Sequence, residues 1–81
     1  MADFKPKVTS LKIGFDDGSQ ESYLMVQTES FPEAQRIAKA GAKEQRGKTA
    51  ADVSLHQGII TAPDQKPEAV IDGLNVWELP F

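Results

Sequence analysis

The chain reads as a small α+β domain, with an antiparallel sheet of four to five strands and one helix packed on one face, in the order ββαββ(β). Three observations predict this. Residues 8–15 alternate apolar and polar positions with the period of a half-buried strand, and a Gly-containing turn and a second apolar run follow them. Residues 30–47 carry a capping serine, a 3.6-residue apolar repeat and a terminal glycine, which together mark one helix. Everything after residue 50 falls into short β-rich runs separated by turn residues.

Residues 1–6 form a lead-in that ends at Pro6. The first strand spans Val8 to Phe15, with Thr9, Leu11, Ile13 and Phe15 on one side and Ser10, Lys12 and Gly14 on the other. Asp16-Asp17-Gly18-Ser19 provides the turn, because aspartate bonds its own backbone two residues on and glycine accepts positive φ. The return strand covers about Gln20 to Thr28. Ser30 with Glu33 three residues later is a capping-box pattern, and Pro32 is tolerated in a first helical turn. The helix continues to about Arg46 and stops at Gly47. Its apolar stripe is Ala34, Ile37, Ala38, Gly41 and Ala42, small enough for the axis to lie close to a sheet. Val53, Leu55 and Ile59 define a strand from about Asp52 to Thr61, in which Gly58 suggests a bulge. Residues 62–67, with two prolines, form a loop. Glu68 to Ile71, the turn pair Asp72-Gly73, and Leu74 to Leu79 read as a terminal hairpin.

With 81 residues the chain holds a single domain, residues 1–81. No apolar run approaches the roughly 20 residues that span a bilayer, so no membrane partner is expected. The absence of cysteine removes disulfides and thiolate metal sites and leaves the redox compartment open, although an intracellular, cytoplasmic address fits best.

Charge is unevenly spread. Residues 34–48 hold Arg36, Lys39, Lys43, Arg46 and Lys48 against one acid, Glu44, a formal +4; the remainder holds four bases and eleven acids, a formal −7. At about 100° per residue, positions 36, 39, 43 and 46 fall within roughly 80° of arc opposite the apolar stripe. These five bases are the candidate partner-binding residues. They suit an acidic protein surface or phosphate, although such a face also serves merely to keep a helix soluble.

One helix covers one face of a sheet, yet Tyr23-Leu24-Met25-Val26 is apolar on both faces, as are Ile59-Ile60 and Val76-Trp77. Tyr23, Met25, Trp77 and Phe81 are therefore candidate contacts for a homodimer or docked partner on the face opposite the helix, with a core role for Trp77 as the competing account. No catalytic constellation is present. His56 is the sole histidine and lacks a partner in sequence, the glycines form no phosphate loop, and the acids at 16, 17 and 21 fit a hairpin turn better than a cation loop. Neither an enzyme, a cofactor nor a metal site is expected.

Ser30-Phe31-Pro32-Glu33-Ala34-Gln35-Arg36-Ile37-Ala38, followed by Lys43-Glu44-Gln45, resembles the helix of small phage-encoded anti-CRISPR proteins. One inhibitor of the type I-F surveillance complex shares the order hairpin, helix, strand meander. The resemblance covers about a dozen residues and the element order. The Gly41-containing helix is longer here, and the proline-rich loop at 62–67 has no counterpart. It implies a non-enzymatic phage or mobile-element protein that inhibits a host macromolecular complex by occupying a protein or ribonucleoprotein surface. Arg36 would match the family's helix, with Lys39 and Lys43 carried over by helix-face position. Two alternatives use the same residues differently: a nucleic-acid-binding accessory protein, and a structural or assembly subunit, such as a virion component, that associates through its apolar sheet face and strand edges.

Overall fold

The computed structural model describes residues 6–78. The elements are β1 (Lys7–Phe15), β2 (Ser22–Val26), α1 (Phe31–Arg46), β3 (Ala50–Thr61), β4 (Ala69–Ile71) and β5 (Leu74–Glu78). All five strands form one antiparallel sheet in the order β3-β1-β2-β5-β4. The α+β architecture expected from the sequence is the one observed. Phe81, Leu79 and the first five residues lie outside the described residues.

Local chemistry sets the boundaries. The first hairpin turns where Gly18 takes φ 75° and Ser19 N–H bonds Asp17 Oδ1 at 2.9 Å. Helix α1 starts where Ser30 Oγ accepts the Glu33 N–H at 3.4 Å. The return half of the expected capping box is replaced, because the Ser30 N–H goes to Thr28 Oγ1 at 3.2 Å. The helix ends in a Schellman arrangement: Gly47 sits at φ 64°, its N–H reaches Lys43 O, and Lys48 N–H reaches Ala42 O. The β4–β5 hairpin turns on Asp72 and Gly73, both with positive φ (52° and 79°), as a two-residue primed turn requires.

Strand β1 is paired on both sides, which is why Val8, Thr9, Ser10 and Leu11 are fully buried. Its odd positions face the helix. Leu11, Ile13 and Phe15 join Leu24, Val26, Val53, Ile71 and Val76 against Ala34, Ile37, Ala38 and Ala42 of α1. Gln35 Nε2 donates to the Val53 carbonyl at 3.4 Å and ties the helix to β3.

The opposite face carries a second cluster of Val8, Met25, Ala62 and Trp77, with Ile60 at its margin. The chain itself supports this cluster. Ala62 N–H bonds the Pro6 carbonyl at 2.9 Å, and Trp77 Nε1–H bonds the Gln65 carbonyl at 2.9 Å, which holds the 62–67 loop on the sheet. Strand β3 is irregular. Between Leu11↔Leu55 and Ser10↔Gly58 it accommodates two extra residues, His56 and Gln57, and Gly58 takes φ 77°. The bulge brings His56 over the sheet, where its ring lies 4.4 Å from that of Tyr23.

Candidate interaction surfaces

The five helix-associated bases occupy one flank of α1 and its exit, but three of them are engaged by the protein's own polar groups. Arg36 hydrogen-bonds Asp72 in the β4–β5 turn and lies 4.0 Å from Glu33. Arg46 pairs with Glu78 at the end of β5 and donates to Ser22 Oγ at 3.1 Å. Lys48 donates to Ser19 Oγ at 3.0 Å, stands 4.0 Å from Asp17, and sits 5.1 Å from the Phe15 ring centroid. Lys39 and Lys43 are exposed one helical turn apart, with no carboxylate within 4.0 Å among the described residues.

The charge segregation evident along the chain is therefore largely cancelled in space. Asp17, Asp72 and Glu78 come from other elements and return to the helix flank, where Glu33 and Glu44 already lie. The Arg36 pair is more than half exposed, so it is worth about 0–1 kcal/mol and its arginine is easily redirected. Its net effect is still to leave Lys39 and Lys43 as the only unneutralised part of the stripe among the described residues. Beside Arg46 and Lys48 lies an open hollow of about 380 Å³, floored by Ser19, Ser22, Glu21 and Tyr23. The Asp17 carboxyl, 4.0 Å from Lys48, is held below its ordinary value of 3.8, first by the Ser19 side-chain hydrogen bond, then by the Ser19 backbone N–H, with a smaller contribution from Lys48.

Of the candidate contacts opposite the helix, Met25 (2% exposed) and Trp77 (3%) are in the second core cluster and Tyr23 is half-buried against His56. The apolar face left open by the sequence reading is filled at that end of the sheet.

The accessible apolar surface lies instead on edge strand β3. Val53 is buried, but Leu55 and Ile59, apolar residues of the same strand, are 52% and 51% exposed. Both face the helix side of the sheet, since they pair with Leu11 and Thr9 on the helix-facing positions of β1. The bulge brings them together: four residues apart along β3, they stand only two residues apart along β1. Nothing from Ala50 to Thr61 guards this edge with lysine, arginine or proline, and Asp52 is its one formal charge at neutral pH. The other edge, β4, is three residues long and follows a loop with two prolines. The absence of Lys, Arg and Pro from this run was legible in the sequence; that the run forms an edge was not.

Among the described residues no helix is long and apolar enough to cross a membrane, and no three potential metal-ligating side chains converge. Compared with known proteins, the chain matches no family profile, no curated protein sequence and no solved structure.

Proposed function

We propose that this protein is a non-enzymatic association module that works through the outer edge of β3. The observation that carries this reading is the Leu55–Ile59 pair, two large apolar side chains half exposed and adjacent on a strand whose outer edge is unpaired among the described residues. A strand edge offers backbone hydrogen bonds to an added strand, and side chains beside it supply selectivity. Of the roles expected from the sequence, this is closest to the structural or assembly subunit that uses strand edges.

The test is affinity capture from a lysate of the source cell with wild type and a Leu55→Lys, Ile59→Lys double variant. Both substitutions are at exposed positions, so circular dichroism should remain that of the wild type. Loss of a specific bound species with the double variant, a second copy of the chain included, supports the edge as the working surface; binding of every species, the second copy included, that is indifferent to it refutes the assignment.

A second reading rests on Lys39 and Lys43. Two neighbouring ammonium groups without carboxylate partners among the described residues suit an acidic macromolecular surface, which is the role implied by the anti-CRISPR resemblance. Lys39→Glu with Lys43→Glu removes that surface without touching the edge. An assembly lost on this change, but kept with the edge variant, favours the helix-face reading.

A further inference from the structure

Resting on the reading of β3 as an association edge, we infer that the strand which completes it is β3 of a second copy, paired antiparallel about a two-fold axis at Gln57. Self-pairing of an edge requires that side chains brought opposite each other share a face and do not repel. The register of β3 on β1 assigns those faces. Val53, Leu55, Ile59 and Thr61 oppose the helix-side positions Ile13, Leu11, Thr9 and Lys7, while Ser54 and Ile60 oppose Lys12 and Val8 on the other side.

A two-fold at Gln57 sets Leu55 against Ile59 of the second copy, Val53 against Thr61 and Ser54 against Ile60. Every one of these pairs falls on a common face. The bulge at His56 and Gln57 separates two regular runs, residues 52–55 and 58–61, of equal length. In this register each run of one copy lies along the other run of its partner, and the two bulges meet at the axis.

The register also joins the accessible apolar groups. Leu55 and Ile59 from both copies form one cluster of four side chains on the helix side, each now about half exposed. A foreign strand would have to bring its own matching pair; a second copy carries it already. Charge does not oppose the arrangement. Asp52 is the only formally charged residue of β3, and the two Asp52 carboxylates lie at opposite ends of the pairing, roughly 26 Å apart at about 3.3 Å per residue once the bulge is taken into account. That separation is well beyond the screening length of about 8 Å at physiological salt. A short edge and four side chains belong at the small end of interfaces, below about 1,200 Å², so the dimer is a reversible one that fills with concentration.

Two measurements test this. In sedimentation equilibrium the wild-type mass rises from the 8.8 kDa monomer toward twice that value as concentration approaches about 1 mM, while the Leu55→Lys, Ile59→Lys variant stays monomeric. The register is read by disulfide trapping, which is clean because the chain has no cysteine. Nitrogen-15-labelled Leu55→Cys is oxidised with unlabelled Ile59→Cys, and the mixed disulfide is expected to exceed its statistical share, since positions 55 and 59 face each other across the axis. Products in statistical proportion overturn the register. A monomeric wild type at about 1 mM overturns self-pairing altogether. A monomeric wild type whose capture of another protein is still abolished by the lysine variant refutes only the second copy as occupant and leaves the edge reading in place. Failure of both experiments refutes both.

Discussion

Gly41 of α1 and Ile71 of β4 approach so closely that a Cβ on residue 41 would stand 2.7 Å from Ile71 Cδ1. The helix lies this near the sheet because position 41 has no side chain. Gly41→Ala brings about 1 kcal/mol of helix propensity but forces Ile71 to move. Because the displaced atom is the flexible end of Ile71, we expect only a small net loss, at most about 1 kcal/mol. Ile71→Val alone also costs about 1 kcal/mol. Because it removes Cδ1, the double variant should be more stable than the sum of the single losses allows. Strict additivity in denaturant titrations would show that the contact is not limiting.

Ser10 supplies a second prediction. Its hydroxyl is completely buried and has no hydrogen-bond partner in the described structure, unlike neighbouring Thr9, whose Oγ1 donates to the Thr28 carbonyl at 2.6 Å. Ser10→Ala removes an unsatisfied polar atom and should raise stability by about 1 kcal/mol. Thr9→Val should do the reverse, leaving a carbonyl unpaired at a cost of about 1 kcal/mol. Thermal melts that rank the two variants in the opposite order would contradict both assignments.

The Asp17 turn gives a pH dependence with a definite sign. Ser19 and Lys48 favour the ionised carboxylate, so its folded pKa lies below the ordinary 3.8. A depressed carboxylate contributes stability that is fully present above its unfolded pKa and is lost as pH falls through the folded value. The contribution therefore holds at neutral pH and disappears in acid below about pH 4. Carboxyl-detected NMR should follow Asp17 titrating low in wild type and closer to the ordinary value in Ser19→Ala. An Asp17 that titrates at or above the ordinary value in wild type contradicts the turn geometry.

For the Arg46–Glu78 pair, the arginine also holds Ser22, so one side chain ties the helix exit to both β2 and β5. Arg46→Ala should cost about 1 kcal/mol, more than Lys43→Ala, which has no carboxylate within 4.0 Å to lose among the described residues. Comparable midpoints for the two alanine variants in urea would mean that the tie contributes nothing.

Much of the fold was legible in the sequence because its signals are local. The alternation of residues 9–15, the Ser30 cap, the Gly47 stop and the Asp72-Gly73 turn each act within a few residues, and each element lies within two or three residues of its expected bounds. Strand order was not legible, since β3 pairs with β1 across the hairpin and helix between them. The partners of the basic stripe were not legible for the same reason. Asp72 lies 36 positions from Arg36, and Glu78 lies 32 from Arg46, so a charge count along the chain cannot register their return. The exposure of Leu55 was not legible either, because an apolar strand residue reads alike in a core or at an edge; only the sheet's edge leaves it in water.

The Trp77–Gln65 hydrogen bond has an optical consequence. Trp77 is the chain's one tryptophan and spans the contact between the sheet and the proline-rich loop, so its fluorescence reports a single known place. A red shift that precedes the loss of far-ultraviolet helicity on warming would mean that this loop lifts away while the rest of the molecule stays folded.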